Sequence, residues 1–299
     1  MGDRLRLNSE KKTEEVYKPS KATQLFIVWR KLRRSKLAIV GTVIVLSVLL
    51  VALFAPLIAP YDPELWGNPF RPPSLWHPFG TDAVGRDMLS LVIYGCSISL
   101  YVGIGAVLIE LLIGVTVGAI AGYFGGKIDE VLMRITDVVL SLPTIMLLIL
   151  AVSMFAVRGV HVIMLLMGML GWPFMARMVR GEFLTLKQST FVEAARSMGA
   201  SNWRIILRHI FPNVVSLIIV LVTVDIPEYI FYEATLSFLG FSDISSPSWG
   251  ILLQRGYIYF PNYWWMITFP GLAVFFASMG FNLFGDSLRD ALDVTTRGR

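Results

Sequence analysis

Three acidic side chains lie in stretches of the sequence that are otherwise apolar and contain no lysine or arginine. Glu110 lies in one such stretch, and Asp225 and Glu228 lie in another. A spacing of three residues puts Asp225 and Glu228 on the same face of a helix. A carboxylate in an apolar environment is costly unless it meets a cation, water or a hydrogen-bond donor. These residues are candidates for a polar path or a cation site. The alternative is a structural acid that hydroxyl groups or an interface stabilise.

Other kinds of chemistry find little support in the residue types. The single cysteine, Cys96, excludes an internal disulfide, and we expect it to be a buried, inert thiol. His77, His161 and His209 are far apart in the chain, with neither metal-ligand spacing nor a nucleophile nearby. The segment Gly125–Lys127 approaches a phosphate-binding loop, but isoleucine follows where serine or threonine is needed. The sequence therefore predicts no catalytic residue, no metal ligand and no cofactor-binding residue.

The composition is that of a membrane protein. Hydrophobic residues make up 55% of the 299 residues, charged residues make up 16%, and the mean hydropathy is +0.66. A soluble domain carries about a quarter charged residues. Apolar segments long enough to cross a bilayer are 37–59, 100–123, 138–157, 160–176, 214–232 and 263–284. We expect an all-α integral membrane protein with six transmembrane helices, of which the first is an uncleaved signal anchor.

The distribution of positive charge predicts the orientation. With the N-terminus inside, 22 of the 26 lysines and arginines fall in cytosolic segments. This asymmetry follows the positive-inside rule, so both termini are predicted to be cytosolic. The basic run at 30–36 then meets anionic lipid headgroups, and we do not expect it to bind nucleic acid.

The chain divides into four predicted regions. Their proposed bounds are a disordered cytosolic tail at 1–24, a basic anchor with the first transmembrane helix at 25–60, an outer loop at 61–98, and a core at 99–294 with five transmembrane helices. Within the core, a cytosolic loop at 181–212 is long enough to be functional.

The cytosolic loop contains a helix–glycine–helix segment, residues 190–212, which we call the elbow. Thr190 and Glu193 have the spacing of a capping box, which predicts a helix from about Phe191 to Met198. Gly199 is placed to end that helix, and Ser201 is placed to cap a second one. A short exposed helix of this kind fits a cleft of a cytosolic partner, with small alanines permitting close approach. The alternative is an amphipathic helix that lies on its own protein or on lipid headgroups. The candidate contact residues are Glu193, Ala194, Ala195, Arg196, Ser197, Met198, Gly199 and Pro212.

These motifs together resemble a known family. The elbow is similar to the EAA loop of ABC importer permeases, and the outer loop carries a second motif that resembles the C-type subunits of dipeptide, oligopeptide and nickel permeases. The residues of this outer motif are Gly80, Thr81, Asp82, Gly85, Arg86 and Asp87. Similar motifs follow at 122–126, 233–240, 247–250 and 282–290, in the order that the family shows. The resemblance covers residues from about 25 to 294.

The resemblance implies a function and a set of partners. It implies a type I ABC importer permease core in the cell (inner, or cytoplasmic) membrane, paired with a B-type permease subunit as a heterodimer. Two ATPase subunits inside would bind ATP and magnesium, so this chain would not itself be an enzyme. A solute-binding protein outside would deliver peptides. Oligosaccharides and nickel chelates are alternative cargoes of the same family. Under this reading Glu110, Asp225 and Glu228 line the translocation path, where they meet a cationic group such as a peptide amino terminus.

Two other classes of protein compete with this interpretation. A proton-coupled secondary transporter would use the buried acids, but it would need inverted repeats, and the sequence shows no internal repeat. A membrane-embedded enzyme would need a catalytic pair or a metal cluster.

Overall fold

Helices form the regular structure of the chain in the computed structural model, which describes residues 30–154, 159–243 and 245–297, with side chains described as far as residue 292. The helices are α1 (Lys36–Leu53), α2 (Ala55–Ile58), α3 (Met88–Phe124), α4 (Gly126–Leu140), α5 (Thr144–Met154), α6 (Val160–Lys187), α7 (Thr190–Ser197), α8 (Asn202–Arg204), a π-helical turn (Ile205–Ile210), α9 (Phe211–Phe238), α10 (Trp249–Ile258) and α11 (Trp265–Arg297). Within these ranges, β-structure is limited to a bridge between Thr81 and Asp87. The all-α expectation is confirmed, and the predicted tail at 1–24 lies outside the described residues.

Five helices in the described ranges are long and apolar enough to cross a membrane. They are α1, α3, α6, the unbroken helical stretch Asn202–Phe238, and α11 as far as Leu292. A sixth span exists if α4 and α5 are taken together, but this pair is bent by 86°. The span predicted at 138–157 therefore falls on both sides of a bend, with its start in α4 and its continuation in α5. Pro143 disfavours a helical conformation at the residue before it, which explains the break between α4 and α5.

The second span is longer than the sequence suggested. Helix α3 starts at Met88, so residues 88–98, which were assigned to the outer loop, are helical. The Asp87 side chain accepts a hydrogen bond of 2.8 Å from the backbone N–H of Ser90, which satisfies a free donor in the first turn. A strong N-cap thus extends the helix beyond the apolar segment that hydropathy detects.

Helices α3 and α6 pack at close range because glycines on α3 face α6. A Cβ atom on Gly114 would lie 2.7 Å from Cβ of Met175, and one on Gly118 would lie 2.5 Å from the carbonyl oxygen of Ala176. Small residues at such a crossing let two membrane helices approach without side chains between them. The close crossing brings the middle of α3, with Glu110, into the same cavity as the middle of α6.

Two apolar clusters anchor the ends of the helical bundle. One lies around Trp249 and Trp265 and joins the start of α3 to α10 and α11. The other lies around Phe183 and Ile210 and joins the end of α6 to the elbow. Each cluster holds one end of the long helices, and the acidic residues lie between the two ends.

Candidate functional site

Glu110, Asp225 and Glu228 line one cavity of about 250 Å³, which we call the acidic cavity. Helix α3 supplies Glu110, and α9 supplies the other two acids. The remaining lining residues come from α4, α5, α6 and α9, and they are Val139, Leu140, Thr144, Leu147, Leu170, Gly171, Pro173, Phe174, Tyr229 and Tyr232. Asp225 and Glu228 thus lie on one face of α9, as predicted. Glu110, more than a hundred residues earlier in the chain, lines the same cavity.

The acids differ in burial and in their hydrogen bonds. Glu110 is 2% exposed and Asp225 is 7% exposed, whereas Glu228 is exposed in this chain. Glu228 accepts a hydrogen bond from the hydroxyl group of Tyr232. Among the described residues, Oε2 of Glu110 and Oδ2 of Asp225 are buried and have no hydrogen-bond partner. The alternative of a structural acid satisfied by a hydroxyl therefore fits Glu228 better than Glu110 or Asp225.

Tyr229 closes one side of the acidic cavity and is held there by Gly171 of α6. The Tyr229 hydroxyl lies within reach of the Glu110 carboxylate and 3.5 Å from the carbonyl oxygen of Met167. A Cβ atom at Gly171 would overlap that hydroxyl group, so only glycine leaves room for it. The sequence analysis missed both residues, because nothing in the local pattern links a glycine on α6 to a tyrosine on α9.

Two prolines lie inside the helices beside the acids. Pro173 lies inside α6 and Pro227 lies inside α9. A proline has no N–H to donate to the carbonyl four residues earlier, which frees the carbonyls of Met169 and Thr223 from that bond. Freed carbonyls in a membrane helix are tolerated where they line a polar cavity or meet a side chain.

The elbow has the predicted turn at its tip. Helix α7 ends at Ser197, and Gly199 follows with φ of +80°, a conformation that favours glycine. The cap differs from the prediction, because Ser189 and not Thr190 occupies the N-cap position and no side-chain cap is formed. Ser201 occupies the second N-cap position, also without a side-chain hydrogen bond. Pro212 lies at the start of α9, directly after the π-helical turn and within the continuous helical stretch Asn202–Phe238.

One face of the elbow packs on the bundle and the other is open. Val192 and Ala195 are buried in the apolar cluster with the end of α6. Ala195 is 2% exposed and packs within the elbow, although it also lines a depression that Met198 shares. Its predicted contact with a partner stays a prediction. The predicted contact residues that remain exposed are Glu193, Ala194, Arg196, Ser197, Met198, Gly199 and Pro212.

The open side of the elbow combines apolar and basic groups. Met198 is 80% exposed and Trp203 is 62% exposed, although both lie on a cytosolic segment by the charge distribution. Beside them, Arg204, Arg208 and His209 line a depression of about 380 Å³. Exposed apolar side chains next to clustered cations are typical of a surface that binds another protein or headgroups.

The outer motif forms a turn that starts α3. Gly80 and Gly85 have φ of +75° and +86°. The Asp82 carboxylate accepts hydrogen bonds from the Arg86 backbone N–H at 2.8 Å and from its guanidinium at 2.6 and 2.8 Å. The Thr81 hydroxyl group accepts a hydrogen bond of 2.8 Å from the backbone N–H of Arg71. The polar groups of the motif are thus used within the loop.

Asp87 joins the outer motif to a histidine. Its carboxylate caps α3 and lies 2.9 Å from Nδ1 of His77, and its side chain is 1% exposed. A nearby depression of about 310 Å³ contains Asp82, Arg86 and Arg255. Burial lowers the pKa of Arg255, and the like charge of Arg86 acts in the same direction.

Residues 114–298 match the family described as binding-protein-dependent transport system inner membrane component. The chain belongs to this family. Residues 23–73 also match the N-terminal transmembrane domain of oligopeptide transport permease C. The resemblance that the EAA loop and the outer motif indicated is confirmed. The permease is accordingly a multi-pass protein of the cell membrane and a component of a transport system that includes ATPase and binding-protein partners.

Relatives of the permease align along nearly its whole length. It is 39% identical to the oligopeptide transport system permease protein of Bacillus subtilis over 271 residues, covering 89% of this chain and 88% of the relative. It is 39% identical to the dipeptide transport system permease protein of the same organism, and the alignment covers 97% of this chain and 92% of the relative. It is 42% identical to a glutathione transport system permease protein of Escherichia coli, covering 90% of each.

The fold of the permease also resembles a solved structure. An inward-facing form of the MetNI methionine ABC transporter contains a chain that matches with a TM-score of 0.58 at 21% identity, covering 68% of the permease and 97% of that chain. A second crystal form of the same transporter matches with a TM-score of 0.55 at 23% identity. This likeness supports the expected type I permease core.

The permease contains a further buried acid that the sequence analysis did not single out. Glu233 is 0% exposed and accepts hydrogen bonds from Ser99 at 2.9 Å and from Ser237 at 2.7 Å. In the sequence it stands out only as the first residue of the motif at 233–240. Both carboxylate oxygens of Glu233 accept a hydrogen bond, whereas Glu110 and Asp225 each have one buried oxygen without a partner. This difference indicates a structural role for Glu233.

Two ion pairs fasten α4 to α6 near the predicted cytosolic side. Arg180 forms a bidentate pair with Asp129, and Arg177 lies 2.7 Å from Asp137. These four residues lie outside the predicted spans, in two predicted cytosolic segments, and nothing in the sequence links the two segments.

Proposed function

We propose that this chain is the C-type permease subunit of an ATP-driven ABC importer for peptides or related solutes, and that its elbow couples the ATPase subunits to solute movement. The relatives named for oligopeptide, dipeptide and glutathione transport support a peptide-like cargo. Oligosaccharides and nickel chelates are the alternative cargoes within the same family.

One structural feature carries the coupling proposal. The helical stretch Asn202–Phe238 runs without a break from the elbow to the acidic cavity. At 1.5 Å per residue, Arg204 and Asp225 are about 30 Å apart along this helix. Because a helix is stiff over that length, a displacement of the elbow moves Asp225 and Glu228 directly. We propose that ATP-driven closure of the ATPases displaces the elbow in this way.

The elbow has two faces suited to this role. The buried face, with Val192 and Ala195, fixes α7 to the end of α6 and to the π-helical turn. The open face, with Glu193, Met198 and Gly199, is available to a cleft of an ATPase subunit. Coupling then depends on a difference in the elbow's affinity for the two states of the ATPase dimer.

The remaining partners follow from the same proposal. A B-type permease subunit completes a heterodimer, and the solute passes between the two permeases. ATP and magnesium bind to the ATPase subunits. The binding protein docks on the outer side, where the outer motif and the exposed Trp66 and Trp76 lie. Both termini of this chain face the cytosol. Glu110, Asp225 and Glu228 line the translocation path.

The proposal is tested by purifying the tagged chain from its native membrane in mild detergent. We expect a second permease and two ATPase subunits to co-purify and to hydrolyse ATP. Gly199→Pro forces φ to about −65° where the chain needs +80°. It also removes the backbone N–H that donates a hydrogen bond of 3.0 Å to the Arg196 carbonyl oxygen. This variant should lose the ATPases or lose stimulation of hydrolysis by the binding protein.

A matched control separates elbow geometry from a general effect of mutation. A Cβ atom at Gly271, on α11, meets only an ordinary contact of 3.7 Å with Leu253, so Gly271→Ala should keep both properties. Glu193→Lys should resemble Gly199→Pro if the exposed face docks on an ATPase. A chain that purifies alone, with no ATP hydrolysis, would contradict the proposal, and uptake driven by a proton gradient would favour the secondary transporter.

A further inference from the structure

We infer that the acidic cavity binds a primary ammonium group of the transported solute, by contacts with Glu110 and Asp225. This inference rests on the proposed function and extends it, because it names the chemical group that the path recognises. The solutes that satisfy it carry a free amino terminus or a lysine-like side chain.

The first argument is the pair of unsatisfied oxygens. Oε2 of Glu110 and Oδ2 of Asp225 have no hydrogen-bond partner among the described residues, although both side chains are more than nine-tenths buried. Both residues line the same cavity. A buried acceptor without a partner is costly, and native proteins keep such groups mainly where a ligand or water completes them.

The second argument is that no cationic side chain among the described residues lines the acidic cavity. The residues that line the acidic cavity include three acids and no lysine, arginine or histidine. The described helices α3 and α9, which carry the acids, contain no lysine or arginine at all. The charge that the cavity favours must therefore come from outside the chain.

The third argument is the match between donors and acceptors. An ammonium group has three N–H donors and no acceptor. The two orphaned carboxylate oxygens supply two acceptors, one from α3 and one from α9. An anion or a neutral amide offers fewer donors and leaves at least one carboxylate unpaired. The cavity thus distinguishes an amine from its acylated form.

The size of the cavity limits what enters it. A volume of about 250 Å³ holds roughly eight water molecules at about 30 Å³ each. This space accepts the charged end of a solute together with a small neighbouring group. Tyr229, Tyr232 and Phe174 supply aromatic surfaces, which also attract cations. The cavity is therefore a subsite for one end of a longer solute.

A resident metal ion fits the residues less well. Among the described residues, no group of three or more His, Cys, Asp or Glu side chains has the arrangement needed to hold a metal. Divalent cations that prefer carboxylates need six or more oxygen ligands, and the apolar lining offers few. A singly charged ammonium group needs only two or three.

The test uses the whole importer in lipid nanodiscs without its binding protein, at a pH near 6.5. The probes are alaninamide, which carries a primary ammonium group, and N-acetylalaninamide, which is its neutral counterpart. Binding is measured by saturation-transfer NMR. We expect alaninamide to bind at least tenfold more tightly than N-acetylalaninamide, which corresponds to about 1.4 kcal/mol. This comparison needs no mutation, so it cannot fail through misfolding.

Variants then locate the site. Glu110→Gln and Asp225→Asn keep the shape of the side chains and remove the charge, and each should weaken alaninamide binding about tenfold. Glu130→Gln removes an exposed acid on α4 that does not line the acidic cavity, and it should leave the affinity unchanged. Equal binding of the two probes, no binding of either, or an unchanged affinity in Asp225→Asn would overturn the inference.

The same preparations separate this inference from the proposed function. If the binding protein stimulates ATP hydrolysis but the two probes bind equally, the importer function stands and the ammonium site is wrong. If the chain does not assemble with ATPases, the proposed function fails, and the inference fails with it.

Discussion

Ser99 on α3 donates a hydrogen bond of 2.9 Å to Glu233 on α9, although 134 positions separate the two residues. The Ser99 hydroxyl oxygen also accepts a hydrogen bond of 3.2 Å from the backbone N–H of Trp249, at the start of α10. Three helices thus meet at one serine. Because Ser99 and Glu233 are both 0% exposed, water cannot replace either bond.

Ser99→Ala should destabilise the permease by about 1–3 kcal/mol, because it leaves the Trp249 N–H buried without its partner and removes one of the hydrogen bonds to Glu233. Thermal unfolding in detergent should show a lower midpoint. Ser153→Ala is the matched control, since the Ser153 hydroxyl is exposed and bonds only to the nearby Leu150 carbonyl. Equal midpoints for the two variants would show that the junction contributes little.

Sequence reasoning succeeded where one short segment determines the geometry. The three-residue spacing of Asp225 and Glu228 was enough to place them on one face, and both line the acidic cavity. A glycine after a polar helix predicted the turn at Gly199, whose φ is +80°. Both features follow from local backbone rules, which hold wherever the segment lies in the fold.

Sequence reasoning failed where distant residues decide the geometry, or where a local signal was outweighed by hydropathy. The junction of Ser99 and Glu233 depends on how α3 crosses α9, and no local pattern encodes that crossing. The bend at Pro143 did have a local signal, but hydropathy alone gives one apolar span across it. Ala195 is buried because the elbow folds back on α6, which the periodicity of eight residues does not reveal.

The contact between Gly171 and Tyr229 gives a second prediction. Gly171→Ala should destabilise the permease and displace Tyr229 from the acidic cavity, because the new methyl group overlaps the tyrosine hydroxyl. The expected loss is about 1–3 kcal/mol, measured by thermal unfolding. Gly181→Ala, on the same helix with no atom near the new Cβ, should be neutral or slightly stabilising because alanine favours helices.

A second substitution tests whether the hydroxyl group is the cause. Tyr229→Phe removes the oxygen that Gly171 accommodates, so the double variant should recover part of the stability that Gly171→Ala loses. If the two losses simply add, the overlap with the hydroxyl is not the reason that glycine is needed at this position.

The ion pairs between α4 and α6 should contribute unequally. The side chains of Arg180 and Asp129 are 30% and 16% exposed and pair through two hydrogen bonds, whereas those of Arg177 and Asp137 are 50% and 56% exposed and pair through one. Asp129→Asn should cost about 1 kcal/mol, and Asp137→Asn should cost less, because solvent screens exposed pairs. Double-mutant cycles on unfolding would measure both coupling energies, and equal values would contradict the prediction.

The last prediction concerns the helix that links the elbow to the acidic cavity. Leu207 lies in the π-helical turn and is 61% exposed, so its side chain contributes little to the core. Leu207→Pro should kink the helix between α7, at the tip of the elbow, and Asp225, because proline clashes with the preceding turn and lacks the N–H. Leu207→Ala shortens the same side chain and keeps the backbone straight.

We expect both Leu207 variants to retain the ATPase subunits, because the exposed face of α7 is unchanged. Basal ATP hydrolysis should therefore persist in both, whereas stimulation by the binding protein should fall severalfold in Leu207→Pro alone. The measurement is ATP hydrolysis by the whole importer in nanodiscs, with and without the binding protein. Full stimulation in Leu207→Pro would mean that movement of the elbow reaches the acidic cavity by another route, such as the end of α6 through Phe183 and Val192.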